Sequence, residues 1–202
     1  MTAQRKRGFY EKYIKRIFDI VLSGLALIIL SPVIAIVALL VRVKLGSPVI
    51  FKQDRPGLNE KIFKMYKFRS MRVNAAEDSA WSTNSDPRKT RFGSIIRKFS
   101  LDELPQFFNV LKGDMSLVGP RPEIPFHVEH FKEEIPRYLV RQQVRPGLTG
   151  WAQINGLRGD TDIAERIRYD IWYIENWTVA LDIKILFRTV FGGKMVNDEK
   201  IQ

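Results

Sequence analysis

Residues 21–41 have the sequence VLSGLALIILSPVIAIVALLV, which contains no charged side chain. As one α-helix these 21 residues would be about 31 Å long, enough to cross the apolar core of a bilayer. Uncharged runs of this length are rare in the cores of water-soluble proteins. The run is also too long for a cleaved signal sequence, and no small-residue cleavage site follows it. The sequence therefore predicts an N-terminal membrane helix.

The centre of this segment is Ser31-Pro32. Proline removes a helix hydrogen bond and clashes with the preceding turn, so we expect a break there, with Ser31 bonding a freed carbonyl. Two arrangements remain, a kinked span and a re-entrant helix that returns to the face it entered. Basic residues flank both sides: Arg5, Lys6, Arg7, Lys12, Lys15 and Arg16 before it, and Arg42, Lys44, Lys52, Arg55, Lys61, Lys64 and Lys67 after it. Because basic flanks prefer the cytoplasm, the re-entrant arrangement is favoured.

The positive charge is concentrated around this segment. The chain of 202 residues has a net charge of +11, and residues 1–72 hold 15 Lys and Arg against four acids, which accounts for all of it. A basic zone beside a membrane segment favours anionic lipids as partners, and we expect no nucleic acid. The absence of cysteine excludes thiolate nucleophiles and Cys-ligated metals.

The rest of the chain predicts an α+β fold. Residues 49–53 and 61–69 have strand patterns joined by a turn-rich connection, which predicts a small β-hairpin. Residues 73–91 are polar and predict a loop, either a plain surface loop or one that closes over a substrate. Helices are predicted at 93–98, from about Asp102 to a stop at Gly113, at 124–142 and at 162–177. We thus expect residues 1–45 to form the basic N-terminus and re-entrant helix, and residues 46–202 to form a mostly helical, membrane-associated domain.

The last predicted helix, residues 178–191, has an apolar face. Its members are Val179, Ile183, Leu186, Phe187, Val190 and Phe191. This spacing suits a core helix and a helix lying in the membrane interface equally well.

The candidate catalytic pair is Asp102-Glu103, which the pattern places at a helix N-terminus, with capping-box spacing from Ser100 to Glu103 as one alternative start. A helix N-terminus and the nearby Arg97 stabilise ionised carboxylates. An Asp of this kind can attack phosphorus while Mg²⁺ neutralises phosphate charge. Taken alone, however, an Asp-Glu pair at a helix start is more often a favourable cap.

Two proline-rich turns present arginines. Arg121 lies in Val118-Gly-Pro-Arg-Pro, and Arg145 precedes Pro-Gly. Proline fixes the backbone, and the guanidinium fork matches phosphate oxygens, although each turn alone is also compatible with a solvated arginine. His127 and His130 lack a third ligand and are interpreted as a solvated pair rather than a metal site. From spacing alone, Asp170 is interpreted as a salt-bridged helix residue.

The chain resembles, nearly end to end, the bacterial sugar transferases known as monotopic phosphoglycosyl transferases, in their minimal catalytic form. The resemblance rests on ordered motifs: KRIFDI at 15–20, Ser31-Pro32, QDRPG at 53–57, YKFRSM at 66–71, SLDELPQ at 100–106, NVLKGDMS at 109–116, VGPRP at 118–122, RPGLTGWAQING at 145–156, and Tyr169-Asp170.

The resemblance implies a re-entrant helix broken at Ser31-Pro32, a catalytic domain on the cytoplasmic face of the bacterial inner membrane, and dependence on Mg²⁺. It implies transfer of a sugar 1-phosphate from a UDP-sugar donor to a polyprenyl (undecaprenyl) phosphate acceptor, with UMP released. Asp102 would be the nucleophile and Mg²⁺ ligand, and Glu103 an acid/base or metal-organising partner. Phosphates would be held by Lys67, Arg97, Arg121 and Arg145, with Asp170 at an acidic position of the site.

The stretch QINGLRGDTD at 153–162 resembles members that transfer glucose phosphate in exopolysaccharide pathways, with galactose phosphate next. Two other classes of function remain: a membrane-tethered basic scaffold without turnover, and a metal-dependent lipid phosphatase that uses water as the acceptor. The sequence leaves a homodimer open.

Overall fold

The computed structural model describes residues 13–72, 88–159 and 161–192. These residues form a mostly helical α+β fold, which confirms the predicted class. The helices are α1 Lys15–Ile29, α2 Ser31–Leu45, α3 Arg91–Lys98, α4 Gln106–Lys112, α5 Pro125–Glu134, α6 Trp151–Ile154, α7 Ile163–Glu175 and α8 Val179–Phe191. The strands are β1 Ile50–Pro56, β2 Ile62–Phe68, β3 Ser116–Val118 and β4 Gly147–Thr149.

The apolar segment forms two helices that meet at Leu30, and Pro32 lies in the first turn of α2. The Ser31 hydroxyl donates to the carbonyl oxygen of Ile28 at 2.8 Å, as expected for a residue at a proline break. Among the described residues no single helix is long and apolar enough to cross a membrane. α1 and α2 reach that length and composition only as a pair, with their axes bent by 64°.

Polar side chains attach α1 to the rest of the protein. Arg16 donates to the carbonyl oxygens of Val110 and Leu111 at 2.5 and 2.6 Å, at the C-terminal end of α4. The buried carboxylate of Asp19 accepts the backbone N–H of Leu117 at 2.9 Å. These contacts fix the first turns of α1 against β3 and α4.

The far end of α2 is attached to the same body. Arg69, which follows β2, donates to the carbonyl oxygens of Leu45 and Ser47. A small apolar cluster joins α2 to β2 and α3, and it consists of Val37, Val41, Phe68 and Ile96.

The predicted hairpin is confirmed: β1 and β2 pair antiparallel, with Ile50 opposite Phe68 and Pro56 opposite Ile62. Asn109 of α4 joins this hairpin to the helices. Its side chain accepts the Tyr66 N–H at 2.9 Å and donates to the Lys64 carbonyl at 2.8 Å. The hairpin is thereby held beside the segment that carries the Asp-Glu pair.

Two predicted helices differ from the structure. The helix expected to start near Asp102 begins at Gln106, because residues Leu101–Glu103 form a separate 3₁₀ turn. The capping box is wrong, since Ser100 adopts a left-handed backbone and its side chain makes no cap. The stop at Gly113 is confirmed.

The helix predicted over 124–142 ends at Glu134, and a 3₁₀ segment Tyr138–Gln143 follows. The cause is Pro136: the residue before a proline avoids helical backbone, and Ile135 is extended. Helices near 93–98, 162–177 and 178–191 are confirmed as α3, α7 and α8. Residues 73–87 of the predicted loop lie outside the described residues.

A second sheet pairs β3 and β4 in parallel, and the sequence did not predict it. It brings the two proline-rich turns together. A Cβ on Gly119 would lie 2.5 Å from the Arg145 carbonyl oxygen, and one on Gly147 would lie 2.1 Å from the Gly119 nitrogen. Only glycine permits this approach of two backbones.

The apolar face of α8 is mostly exposed: the exposed fractions are 60% for Ile183, 62% for Phe187, 58% for Val190 and 71% for Phe191. The buried positions of α8 are Asp182 and Ile185, and Ile185 belongs to the main core. This face is therefore not a core face, which removes one of the two predicted alternatives.

Candidate active site

Asp102 and Glu103 lie in the 3₁₀ turn between α3 and α4. The left-handed backbone of Ser100, with φ of 54°, turns the chain out of α3 and into this turn. Asp102 is 6% exposed. Among the residues that the structure describes, none donates a hydrogen bond to its carboxylate.

Glu103 is bound on both sides by cations. Its Oε1 lies 3.1 Å from Lys67 Nζ and 2.5 Å from an Arg121 guanidinium nitrogen. Strand β2 supplies Lys67, and the turn after β3 supplies Arg121. The two adjacent carboxylates therefore differ: Glu103 forms ion pairs within the protein, whereas Asp102 remains available to bind a ligand.

The electrostatics separate the two acids further. Burial raises the pKa of Asp102 to about 7; the Lys67 charge opposes this shift and the adjacent Glu103 adds to it. Burial also acts to raise the pKa of Glu103, but Arg121 and Lys67 outweigh burial and hold that pKa below its usual range. Glu103 is thus ionised at neutral pH and cannot serve as a proton donor there.

The predicted cations Lys67, Arg97 and Arg121 converge on this pair. All three act electrostatically on Asp102, with Arg97 coming from the last turn of α3. Three cations around two carboxylates leave the pocket positive, which suits phosphate groups.

Three further arginines hold the turn that presents Arg121. Arg141 donates to the Arg121 carbonyl oxygen at 2.8 Å, and Arg55 donates to the Pro122 carbonyl oxygen at 3.0 Å. Arg166 pairs with the Glu123 carboxylate at 2.9 Å. The prolines restrict this turn, and these contacts fix its position.

Asp170 and Arg145 contact other parts of the protein. Asp170 forms a buried ion pair with Arg141, with Nε to Oδ2 at 2.8 Å. It therefore supports the Arg121 turn through Arg141. Arg145 Nε donates to the Gly113 carbonyl oxygen at 2.9 Å, at the end of α4.

The two histidines lie on α5, away from these carboxylates. The His127 ring stacks on Phe131 with centroids 5.8 Å apart, and His130 lies 3.4 Å from Glu134.

Comparison with known proteins identifies the family. The family model described as bacterial sugar transferase matches residues 10–194 of the chain. The chain belongs to the bacterial sugar transferase family.

Several curated bacterial sugar transferases are similar in sequence. UDP-glucose:undecaprenyl-phosphate glucose-1-phosphate transferase of Escherichia coli is 49% identical over 91% of this chain and 40% of its own length. A UDP-N-acetylgalactosamine-undecaprenyl-phosphate N-acetylgalactosaminephosphotransferase of Aeromonas hydrophila is 45% identical over 88% of this chain and 43% of its own. A glucose-1-phosphate transferase of Caulobacter vibrioides, named for the same donor and acceptor as the E. coli protein, is 44% identical over 87% of this chain and 68% of its own length. The chain thus spans about two fifths of the first two relatives.

Sequence reasoning missed part of this sugar transferase site. Arg55 was visible within the QDRPG motif, but nothing in that motif indicates that it bonds the turn after β3. Arg141 and Arg166 bind acids 29 and 43 residues away, so no local spacing reveals them. Arg158 lies within the quoted QINGLRGDTD stretch and was not singled out.

The described residues contain no cluster of three or more His, Asp or Glu side chains able to hold a metal by themselves. Magnesium is commonly bound by one or two carboxylates together with substrate phosphates and water. The Asp102 carboxylate, which accepts no hydrogen bond from the described residues, fits that kind of site.

Proposed function

We propose that this chain transfers a sugar 1-phosphate from a UDP-sugar to polyprenyl phosphate and releases UMP. Glucose is the sugar we favour, and galactose is the next candidate. The reaction would be the first membrane step of a bacterial glycoconjugate or exopolysaccharide pathway. The observation that carries the proposal is Asp102, a carboxylate without a protein partner among the described residues that lies within a group of cations. The activities for which the similar sugar transferases are named support the donor and acceptor classes.

The first step is attack of an Asp102 oxygen on the phosphorus that carries the sugar. A carboxylate must be ionised to attack, and with its pKa raised to about 7 Asp102 is largely ionised only above neutral pH. Lys67, Arg97 and Arg121 attract the incoming phosphate and oppose the charge that grows on its oxygens. The product is an aspartyl-phosphosugar.

In the second step an oxygen of the lipid phosphate attacks the same phosphorus, and the Asp102 carboxylate leaves. Donor and acceptor are both anions, and a covalent intermediate allows them to use one set of cations in turn. Because its pKa is lowered, Glu103 stays ionised in both steps and can hold the cations Lys67 and Arg121 throughout. We therefore assign Glu103 to positioning Lys67 and Arg121.

Mg²⁺ is part of this proposal. It would be held by Asp102 and by phosphate oxygens of the substrate, and it would neutralise phosphate charge.

We also propose that α1 and α2 form a re-entrant membrane helix and that the catalytic part faces the cytoplasm. The two ends of the pair are attached to the same body, α1 by Arg16 and α2 by Arg69, whereas a span would carry them to opposite sides. Apolar side chains near the bend are exposed, with 72% for Ile28 and 71% for Ile29. The exposed Arg42 and Lys44 lie at the far end of α2, where anionic headgroups would meet them.

Helix α8, which carries the exposed apolar face, begins beside α1. Lys15 of α1 pairs with Asp182 of α8 at 2.5 Å, so the start of α8 lies beside the start of the membrane segment. We place α8 in the membrane interface, with Ile183 and Phe187 toward lipid.

The activity is tested with the purified chain in lipid nanodiscs, a panel of UDP-sugars, Mg²⁺ and undecaprenyl phosphate. We expect UMP release with one donor and a lipid-linked sugar phosphate as the product. Asp102→Asn should abolish both, whereas the matched surface variant Asp54→Asn, whose side chain is 53% exposed, should retain them. Free sugar phosphate in place of the lipid product would identify a hydrolase, and unchanged function of Asp102→Asn in cells would favour a scaffold.

The membrane arrangement is tested by labelling single cysteines, since the chain has none of its own. Cysteines at Arg7, outside the described residues, and at Lys44 should both react from the cytoplasmic side of sealed vesicles, and one at Ile29 should be protected. Labelling of Arg7 and Lys44 from opposite sides would establish a span instead.

A further inference from the structure

Arg158 lies in a short loop that the fold holds in place beside the catalytic residues. The loop follows α6, and the N–H of Leu157 donates to the Ala152 carbonyl oxygen at 3.0 Å. One residue after Arg158, the Gly159 carbonyl oxygen accepts from Arg166 at 2.6 Å. The backbone on both sides of Arg158 is therefore fixed.

The four-residue helix α6 begins against the turn that carries Arg121, and the loop follows the other end of this helix. Gly150, the residue before α6, is packed so closely on Gly119 that a Cβ on it would lie 2.3 Å from the Gly119 carbonyl oxygen. In agreement with this packing, the charges of Arg121 and Glu103 both act on the Arg158 guanidinium, which places it near that pair.

The Arg158 guanidinium has no anionic partner among the described residues. Its Nε is buried without a hydrogen-bond partner, and none of the described carboxylates forms an ion pair with it. Arg121 and Arg166, in contrast, are paired with Glu103 and Glu123. A largely buried guanidinium without a carboxylate is costly to maintain, and a bound anion would offset that cost.

We propose that Arg158 binds the phosphate that leaves with the nucleoside monophosphate. The proposal rests on the function proposed above. Arg121 is common to both places, because its charge acts on Asp102 and also on Arg158. A diphosphate would therefore have its sugar-bearing phosphate near Asp102 and its other phosphate near Arg158, with Arg121 between them.

The role of Arg158 follows from the bonds that change in the first step. An O–P bond forms between Asp102 and the sugar-bearing phosphorus, and the bond from that phosphorus to the bridging oxygen breaks. The electron pair stays on the bridging oxygen, which leaves as part of the UMP phosphate, and no proton or redox partner is needed. Negative charge thus grows on the leaving phosphate, where a guanidinium stabilises it.

The test separates the two half-reactions and compares Arg158→Gln with Arg158→Lys. With donor alone, Arg158→Gln should slow UMP release about 10- to 100-fold, the effect of losing one charge-assisted contact, and Arg158→Lys should lose less. Transfer from preformed aspartyl-phosphosugar to undecaprenyl phosphate should stay within about twofold of wild type, because the nucleotide has left by then. The Kd for UMP, measured by calorimetry, should rise by a similar factor to the loss in UMP release.

The matched control is Arg168→Gln, since the Arg168 side chain on α7 is 73% exposed and pairs only with Glu165 in the described structure. Its UMP release, UMP affinity and melting temperature should equal those of wild type. Unchanged UMP release in Arg158→Gln overturns the proposal. Equal slowing of both half-reactions also overturns it, because Arg158 would then serve the phosphate common to both steps. If wild-type protein releases no UMP from any donor, the proposed function itself fails, and the assignment of Arg158 fails with it.

Discussion

Replacing Asp102 with asparagine should stabilise the protein at alkaline pH while it removes the nucleophile. Asp102 is 6% exposed and carries no hydrogen bond from the described residues. Burial raises its pKa from 3.8 to about 7, which means that folding opposes its ionisation. Asparagine has nearly the same shape and no charge to desolvate.

The sign and size follow from proton linkage. Below pH 4 the carboxyl is protonated in folded and unfolded chains, and its favourable contribution to stability is fully present. Between pH 4 and 7 the unfolded chain loses the proton while the folded chain keeps it, so stability falls by about 1.4 kcal/mol per pH unit. Above pH 7 both forms are ionised and the loss is complete, at up to about 4 kcal/mol. The advantage of Asp102→Asn should therefore be near zero at pH 4 and greatest at pH 8.

The assay is thermal unfolding of both proteins in one detergent at pH 5, 6, 7 and 8. For a domain of this size about 1 kcal/mol corresponds to about 2–4 °C, so the difference in melting temperature should reach several degrees at pH 8. Asp54→Asn, with its exposed side chain, should track wild type throughout. An Asp102→Asn protein that melts at or below the wild-type temperature at pH 8 would refute the argument that burial strains this carboxylate.

Three other outcomes follow from the same contacts. The kcat/KM for UMP release should fall about tenfold per pH unit below pH 7, as Asp102 becomes protonated; a rate that stays flat down to pH 5 would contradict this titration. Asp170→Asn leaves Arg141 buried without its carboxylate and should cost about 3–5 kcal/mol, seen as a large drop in melting temperature; a wild-type melting curve would show that the pair is dispensable. Gly93→Ala places a Cβ 1.7 Å from the Ser70 carbonyl oxygen, so α3 must shift, and both melting temperature and UMP release should fall; an unchanged protein would contradict this packing.

Local features of the fold were predictable because local patterns specify them. Alternating strands on either side of a turn-rich connection gave the β1–β2 hairpin. A glycine ended α4 as predicted, and α8 begins at Val179, one residue after the predicted start. These signals act over a few residues, so one sequence suffices to find them.

The second sheet was not predictable in this way. Its strands have three residues each, too short for a period to be visible, and β3 pairs with β4 across about thirty residues of chain. Only the close approach of Gly119 and Gly147 makes the pairing possible, and a glycine in a turn does not reveal what it approaches.

For the candidate site, too, local features were predictable from sequence and features that depend on distant residues were not. The sequence identified the Asp102-Glu103 pair and the turn at Arg121 as candidates, but residue type and spacing alone left a helix cap and a solvated arginine as alternatives. The resemblance to a known family favoured the catalytic interpretation. The sequence did not predict that the pKa values of the two acids shift in opposite directions. That difference depends on Lys67 and Arg121, which distant elements place beside Glu103. Asp170 was interpreted from its spacing as a salt-bridged helix residue, and the structure shows it paired with Arg141. Its place at an acidic position of the substrate site, implied by the resemblance, stays a prediction.

The covalent intermediate on Asp102 is the central claim, and peptide mass spectrometry tests it most directly. The chain is incubated with its UDP-sugar and Mg²⁺ but no acceptor, quenched rapidly and digested. We expect the peptide containing Asp102 to gain the mass of one sugar phosphate and to lose it when undecaprenyl phosphate is added before quenching. The same peptide of Asp102→Asn should gain nothing. Turnover to a lipid-linked product with no such adduct at any quench time would contradict it.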